Sequence, residues 1–161
     1  MADTPLPHLN ERGDARMVDV SAKEVSARSA TAAGLVRLSA EAVAALRAES
    51  LPKGDALAVA RIAGIQAAKK TPDLVMLCHP LFLSGVDVSL SVVEEGVQIE
   101  VTVRTTDRTG VEMEALTAVS VAGLAVVDMV KAVDRAASIT DIQVESKSGG
   151  RSGSWRRDGA E

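Results

Sequence analysis

Apolar and polar residues alternate strictly over residues 86–92 and again over 97–103. A period of two is typical of strands that have one buried face and one wetter face. Only Val93, Glu94, Glu95 and Gly96 separate the two runs. The pattern therefore predicts an antiparallel β-hairpin.

Helical signals lie on both sides of this hairpin. Ser39 and Asp55 each precede an alanine-rich run and are predicted N-caps. The run after the hairpin is apolar almost all round over residues 115–130, which is typical of a helix buried on most sides. The helices expected from these signals cover residues 40 to about 48, 56–70 and 111 to about 133.

The remaining segments complete an α+β outline. Residues 17–20 and 139–145 are predicted strands, and residues 25–38 fit either a strand or a helix. The order of helices, hairpin, helix and strand predicts an antiparallel sheet covered by helices on one face, part of a ferredoxin-like plan. We expect one domain over residues 17–153. Flexible tails are expected at 1–16 and at 154–161, the latter ending a Gly/Ser/Arg-rich stretch.

The apolar fraction consists mainly of small side chains. Hydrophobic residues make up 47% of the 161 positions but aromatic residues only 1%, namely Phe82 and Trp155. Small side chains bury little area each, so this composition favours helices pressed closely together and subunit contacts that complete the core. It also argues against a protein that stacks nucleic-acid bases on aromatic side chains.

The net charge and the single cysteine limit the class of protein and its cellular compartment further. The net charge of −4 and the pI near 5.3 give no global positive field for nucleic acid or an anionic membrane. Cys78 has no partner for an intramolecular disulfide, which suits a reducing compartment. The N-terminal residues lack the apolar stretch of a signal peptide, and no run approaches the roughly 20 apolar residues of a membrane span. These features predict a cytoplasmic protein without a membrane partner.

The predicted long helix carries the charged residues of greatest interest. Asp128 and Lys131 are three positions apart and can meet on one face. Glu114 lies 14 residues before Asp128, close to four turns, and so returns to nearly the same side. Pairing with Lys131 would lower the pKa of Asp128 and desolvation would raise it, and the sequence does not decide between them. A solvated ion pair at a helix end is an equally good interpretation.

Cations and a histidine lie on other segments. Lys53 stands in a loop before a predicted helix, and residues 147–153 combine cations, hydroxyls and bare backbone amides that suit a phosphate. His79 fits an acid/base group or a ligand of a substrate oxygen. Each of these segments, taken singly, has a structural interpretation that is at least as good as the functional one. Lys53 fits a plain turn, residues 147–153 fit a basic tail, and His79 fits a structural histidine. No spacing of Cys and His residues predicts a transition-metal site. Together these groups suit acid–base rearrangement of a phosphorylated small molecule.

Several longer motifs resemble those of the cyclic pyranopterin monophosphate synthases of molybdenum cofactor biosynthesis. The resemblance extends from about residue 17 to residue 153, with departures in the tails and at Pro52. The matching segments, in chain order, are MVDVS (17–21), KGD (53–55), ARIAGIQAAK (60–69), LCHPL (77–81), TGVEMEALT (109–117), DMVKAV (128–133) and KSGG (147–150).

This resemblance implies a fold, an assembly and a reaction. The expected subunit is ferredoxin-like, and six copies form a trimer of dimers with active sites between subunits. The implied enzyme is a lyase that converts 3',8-cyclo-7,8-dihydro-GTP to cyclic pyranopterin monophosphate and releases diphosphate. No cofactor is expected, and the resemblance leaves open whether Mg²⁺ accompanies the triphosphate.

The resemblance also implies roles for individual residues. Asp128 is the implied catalytic acid/base and Lys131 its partner. The implied substrate contacts are Lys53, Leu77, Cys78, His79, Met113, Glu114 and Lys147. Two other hypotheses stay open at this point: a non-catalytic nucleotide-binding regulatory module, and a structural oligomerisation protein. The first does not require the Asp128–Lys131 pair, and the second does not account for cations on three segments.

Overall fold

A computed structural model describes residues 8–158 as five strands and four helices. Residues 1–7 of the predicted N-terminal tail and 159–161 of the C-terminal tail lie outside the described residues. The strands are β1 (Ser26–Arg37), β2 (Leu83–Val93), β3 (Gly96–Asp107), β4 (Ser138–Ser148) and β5 (Trp155–Arg156). The helices are α1 (Ala40–Arg47), α2 (Ala56–Lys69), α3 (Thr71–Leu74) and α4 (Glu112–Val130).

The strands form one antiparallel sheet in the order β2-β3-β1-β4-β5. The ambiguous run at 25–38 is therefore a strand, β1, and it lies at the centre, paired with β3 on one side and β4 on the other. With β1 in place, the first four strands and the helices between them follow the β-α-β-β-α-β order of the ferredoxin-like plan. The predicted α+β class and the predicted hairpin, β2–β3, are confirmed.

The helices lie on one face of the sheet, and the other face is polar. Along β3 the core side carries buried Val97, Ile99, Val101 and Val103, whereas the alternate side chains, such as Glu100, are largely exposed. Helix α4 packs on β1, β3 and β4, and α2 packs on α4 and β2. One apolar face and one wet face thus follow directly from the alternation in the sequence.

Small residues allow α2 and α4 to approach closely. A Cβ atom at Gly64 of α2 would lie 3.3 Å from the carbonyl oxygen of Ala118 and 3.4 Å from the Cβ atom of Ala122, both on α4. At such a contact, larger side chains would force the helices apart. The close helix packing expected from the Ala- and Val-rich composition is present.

The predicted caps are confirmed, and some boundaries differ. The Ser39 hydroxyl accepts a hydrogen bond from the Ala42 N–H, and the Asp55 carboxylate accepts one from the Ala58 N–H. Helix α4 ends at Val130 rather than near 133. The strand predicted at 17–20 is wrong, because these residues pair with no other strand. Instead, the Val18 carbonyl is used by the His79 side chain.

The end of the described chain returns to the sheet. Within the segment expected to be a C-terminal tail, Trp155 and Arg156 form β5 beside Lys147 and Ser146 of β4. The Arg157 side chain also donates to the Val144 carbonyl at 3.0 Å. The boundaries at 16/17 and 153/154 stay predictions, but β5 shows that part of this stretch is ordered against the domain.

Helix α4 is long and apolar enough to cross a membrane by length and composition alone. Half of its most apolar window is buried inside the fold, against the sheet and α2. The core helix of a globular domain meets the same criteria. Among the described residues it is the only such helix, and by itself it is weak evidence of a membrane span.

Candidate functional site

Asp128, near the C-terminal end of α4, lies between two lysines. Its Oδ1 atom is 2.7 Å from Lys131 Nζ, and its Oδ2 atom is 2.7 Å from Lys53 Nζ. We call these three residues the Asp128 cluster. The i,i+3 contact predicted from the sequence is confirmed. Lys53 comes from the loop between α1 and α2, which the fold brings to the end of α4.

The two lysines decide the ionisation of Asp128. The hydrogen bond from Lys131, followed by that from Lys53, lowers the pKa of Asp128 from 3.8 to about 2. Pairing thus outweighs desolvation, which is small because 55% of the Asp128 side chain is exposed. At neutral pH the cluster is a carboxylate held between two ammonium groups, open to solvent on one side.

A cavity of about 380 Å³ lies at the other end of α4. Five of the predicted substrate contacts line it together: Leu77, Cys78, His79, Met113 and Glu114. The irregular segment between α3 and β2 supplies the first three, and the first turn of α4 supplies the other two. We call this space the Glu114 cavity. Neither of the two aromatic residues lines it.

Glu114 is the buried carboxyl group of this cavity, with 3% of its surface exposed. Desolvation raises the pKa of Glu114, and the nearby charge of Glu112 raises it further. The pKa of the Cys78 thiol is raised as well, first by burial and then by Glu114. The surroundings in the cavity therefore favour the protonated, neutral forms of Glu114 and Cys78.

His79 is oriented by a backbone carbonyl in the N-terminal segment. Its Nε2 atom lies 2.7 Å from the oxygen of Val18, which also lines the cavity. Because a carbonyl oxygen only accepts, Nε2 carries the hydrogen, and in the neutral ring Nδ1 is then an acceptor. His79 was predicted to be an acid/base group or a ligand of a substrate oxygen. Because Nε2 is bonded to the Val18 carbonyl, Nδ1 is the ring nitrogen left for such a role.

A smaller polar pocket of about 180 Å³ adjoins the Glu114 cavity and shares Lys23, Thr109, Gly110 and Glu112 with it. Its other lining residues are Arg28, Ser29, Arg108, Lys147, Ser148, Gly149 and Ser152. We call it the Lys147 pocket. Lys147 Nζ lies 2.9 Å from Glu112 Oε1, and the Arg108 guanidinium donates to the Lys23 carbonyl. Four cations and several hydroxyls around one space suit an anion such as a phosphate.

The loop after β4 reaches this pocket only because it contains glycine. Gly149 has φ +95°, in the left-handed region, and a Cβ atom there would collide with the carbonyl oxygen of Ala27. The loop thus lies directly on β1, beside Arg28. Residues 147–153 suited either a phosphate or a plain basic tail, and the structure places Lys147, Ser148, Gly149 and Ser152 in the lining of the basic pocket.

Sequence reasoning missed several residues of the Lys147 pocket. Arg28 stands in the segment that fitted either a helix or a strand, and its Nε atom donates to the Asp107 carbonyl across the β1–β3 pair. Arg108 stands in a loop that gave no signal except its position just before Glu112. Only the strand pairing brings these cations to Lys147.

The structure thus sorts the predicted site residues into two groups. Lys53 and Lys131 belong with Asp128, whereas Lys147 and the LCH and ME segments belong with Glu114. At 1.5 Å per residue, the 14 residues from Glu114 to Asp128 place the two groups about 21 Å apart along the helix. Although Glu114 and Asp128 lie on nearly the same side of the helix, the two groups do not form one site within a chain.

No group of three or more His, Cys, Asp or Glu side chains that could hold a metal ion occurs within residues 8–158. Each region contains ion pairs: Asp128 with Lys53 and Lys131 in one, and Glu112 with Lys147 in the other. The protein thus has a ferredoxin-like α+β fold, a lysine-paired aspartate and a basic pocket. These are features of the class of enzymes that act on small anionic substrates.

The comparison with protein families gives the particular family. The model of the MoaC family matches residues 17–150, and this chain belongs to that family. The match covers every element from β1 to β4 and both groups of site residues. The resemblance seen in the sequence motifs is confirmed.

Three relatives illustrate the similarity. The cyclic pyranopterin monophosphate synthase of Streptomyces coelicolor is 65% identical over 152 residues, which cover 94% of this chain and 89% of the relative. The protein of the same name from a Nocardioides species is 64% identical, over 98% of this chain and 99% of its own. Cyclic pyranopterin monophosphate synthase 2 of Mycobacterium tuberculosis is 59% identical, over 94% and 91%.

Proposed function

We propose that this chain is a cyclic pyranopterin monophosphate synthase of molybdenum cofactor biosynthesis. In this proposal it is a lyase that converts 3',8-cyclo-7,8-dihydro-GTP to cyclic pyranopterin monophosphate and diphosphate. Membership of the MoaC family and 57–65% identity to synthases of that name support it. The single observation that carries it is the ionised Asp128 held 2.7 Å from both Lys53 and Lys131.

The Asp128 cluster would move protons during the rearrangement of the ring system. With a pKa of about 2, Asp128 is ionised at neutral pH and can accept a proton, while the lysine ammonium groups can donate one. Both lysines are hydrogen-bonded to the Asp128 carboxylate, so a proton can pass directly between donor and acceptor within the cluster. Asp128 and Lys131 are the proposed catalytic residues, and Lys53 is proposed to contact substrate as well.

The Lys147 pocket and the Glu114 cavity would hold the substrate. Arg28, Arg108 and Lys147 would bind the triphosphate and stabilise the charge of the departing diphosphate. A substrate hydroxyl would attack the α-phosphorus: the new O–P bond closes the cyclic monophosphate, and the bond to the diphosphate oxygen breaks. The guanine-derived ring would lie in the Glu114 cavity, held mainly by hydrogen bonds and aliphatic walls because neither Phe82 nor Trp155 lines it.

We propose that the active site forms between subunits of a homo-hexamer, a trimer of dimers. A separation of about 21 Å is far more than a hydrogen bond of about 3 Å, so one chain cannot apply both groups to the same reacting atoms. Exposed apolar side chains near the Glu114 cavity support a subunit contact there, for example Met76 at 90% and Phe82 at 82% exposure. Light scattering should give the mass of six 16.7 kDa chains, and a stable, active monomer would contradict the proposal.

We also propose that the enzyme works in the cytoplasm and carries no resident cofactor. The proposed steps are proton transfers and a phosphoryl displacement, which the lysines, arginines and carboxylates can serve. Mg²⁺ can accompany the triphosphate. A chelator such as EDTA separates the two cases, because activity that survives chelation needs no divalent ion.

The test is incubation of the purified protein with 3',8-cyclo-7,8-dihydro-GTP. We expect release of diphosphate together with a pterin that becomes fluorescent on oxidation. Asp128→Asn should bind substrate but lose turnover by roughly 10²- to 10⁴-fold, the usual effect of removing an acid–base group. Asp87→Asn, on the exposed face of the sheet, is the matched control. Binding by the wild-type protein without diphosphate release would favour a non-catalytic nucleotide-binding module.

A further inference from the structure

Asp134 is a buried carboxylate that belongs to neither group of site residues. Helix α4 ends at Val130, and the N–H groups of Val133 and Asp134 both donate to the Val130 carbonyl, which closes a tight turn after the helix. Asp134 lies at the end of this turn with only 7% of its surface exposed. Burying a carboxylate costs free energy unless the group is hydrogen-bonded, so the hydrogen-bond partners of Asp134 indicate its role.

Both carboxylate oxygens of Asp134 accept hydrogen bonds from the backbone. The Ser39 N–H donates to Oδ2 at 2.6 Å, and the Ala136 N–H donates to Oδ1 at 2.9 Å. These bonds, first of all that from Ser39, hold the pKa of Asp134 below its usual value. The contact to Ser39 spans 95 positions of the sequence and joins the end of α4 to the start of α1.

The two joined segments are those that deliver the lysines to Asp128. Lys131 is the C-cap of α4, three residues before Asp134 and in the same turn. Ser39 is the N-cap of α1, and α1 leads directly into the loop that carries Lys53. The Asp134–Ser39 hydrogen bond therefore joins the turn that carries Lys131 to the start of α1, the helix that precedes the Lys53 loop.

We propose that Asp134 is a positioning residue for the acid–base cluster: it holds the Lys131 turn and the α1–Lys53 segment so that both ammonium groups reach Asp128. This inference rests on the proposed function for its catalytic consequence. It goes beyond that function because Asp134 touches neither the Glu114 cavity nor the Lys147 pocket, and it acts only through the two lysines.

The first test replaces Asp134 with asparagine, which is nearly the same size and retains one acceptor oxygen. We expect kcat to fall about tenfold, because a small displacement of catalytic groups is costly, and KM to rise by a smaller factor, because Lys53 is also a proposed substrate contact. In the same variant, carbon-13 NMR of the Asp128 carboxyl should show its pKa rising from about 2 toward 3.8. Asp134→Ala should give a larger loss of kcat, so that the order wild type, asparagine, alanine reports partial rescue.

Two matched variants of Ser39 test the same hydrogen bond from the donor side. Ser39 has φ −64° and ψ 154°, which proline adopts without strain, and proline has no N–H to donate to Asp134. Ser39→Pro and Ser39→Ala both lose the capping hydroxyl, but only Ser39→Ala keeps the N–H. We expect Ser39→Pro to reproduce the loss of kcat and the raised Asp128 pKa of Asp134→Asn. Ser39→Ala should show clearly smaller changes, because it loses only the weaker contact of the hydroxyl with Asp134.

The outcomes separate positioning from mere stabilisation. A folded Asp134→Asn variant with wild-type kcat and an unchanged Asp128 pKa, measured well below its melting temperature, would overturn the proposal. So would identical Asp128 titrations in Ser39→Pro and Ser39→Ala, a comparison that decides the matter if the Asp134 variants do not fold. If the wild-type protein makes no product, the proposed function fails, and the NMR titration still shows whether Asp134 positions the lysines.

Discussion

Glu114 and Asp128 lie on the same helix, 14 residues and about 21 Å apart, and each belongs to a different group of predicted site residues. Glu114 is buried in a cavity beside a basic pocket, whereas Asp128 is half-exposed between two lysines. The lining of the cavity and the pocket does not include the lysine-paired Asp128. In the proposed hexamer, a site that uses both groups would combine one end of α4 with the opposite end of α4 in another copy.

This relationship predicts complementation between two inactive variants. Asp128→Asn and Glu114→Ala should each abolish turnover as pure proteins. When the two are unfolded together and refolded, mixed pairs should contain one site in which both groups are intact. For a two-fold symmetric pair with random mixing, we expect about a quarter of wild-type activity. The assay is diphosphate release, and the control is each variant refolded alone. No activity in a mixture that assembles normally would show that both groups act within one chain.

The pKa of Asp128 should depend on both lysines. Lys131→Met and Lys53→Met each remove one ammonium group and should raise the Asp128 pKa from about 2, and the double variant should bring it close to 3.8. The rise should be larger for Lys131→Met, because the hydrogen bond from Lys131 has the larger effect. Carbon-13 NMR titration of aspartate carboxyls measures this, with Lys69→Met on the exposed end of α2 as the control. An Asp128 pKa that stays at about 2 in the double variant would contradict the assigned cause.

The local parts of this site could be predicted from the sequence, and the long-range parts could not. The Asp128–Lys131 contact follows from helical spacing alone. Lys53 lies 75 positions from Asp128, and His79 lies 61 positions from Val18. Contacts of this kind depend on how the elements pack, and helical periodicity carries no information about them. The motif resemblance named these residues together as expected site residues but gave no distances between them.

The fold shows the same division. The hairpin was predictable because valine and isoleucine alternate with polar residues on both arms. Strand β1 was not, because its residues include Ala32, Ala33 and Gly34, which have little preference for strands. It is a strand because β3 and β4 pair with it on both sides. Once β1 is placed, Arg28 reaches the Lys147 pocket, so one ambiguous segment accounts for a missed site residue.

Lys147 should contribute mainly to substrate binding. Lys147→Gln removes a charge-assisted contact to phosphate, worth roughly 1.5–3 kcal/mol, so KM should rise by about ten- to a hundredfold. We expect a smaller change in kcat, because the Asp128 cluster is unaltered. Steady-state kinetics of diphosphate release measure both parameters, and Lys69→Gln is the control for loss of a surface charge. An unchanged KM would remove Lys147 from the proposed triphosphate site.

The loop that carries Lys147 should not tolerate a side chain at Gly149. Gly149→Ala forces alanine into φ +95° and drives its Cβ atom against the Ala27 carbonyl, so the loop must leave β1. We expect an increase in KM although every charge is retained. Gly153→Ala is a matched control, since Gly153 also has a positive φ, +64°, but its Cβ atom would meet nothing within 4 Å. Equal KM values for the two variants would show that the loop position is unimportant for binding.

The buried Glu114 should make the protein less stable as the pH rises above 4.5. Burial and the charge of Glu112 raise the pKa of Glu114 above its ordinary 4.5, so above that pH the folded chain holds a proton that the unfolded chain has lost. The free energy of unfolding therefore decreases as pH rises from 4.5 to the folded pKa. Glu114→Gln removes this titration, so its unfolding free energy should depend less on pH and exceed that of the wild type at neutral pH. Urea unfolding at several pH values measures the difference, and Glu100→Gln on the exposed sheet face is the control. Parallel stability curves for Glu114→Gln and the wild type would show that Glu114 ionises in the folded protein as it does in the unfolded chain.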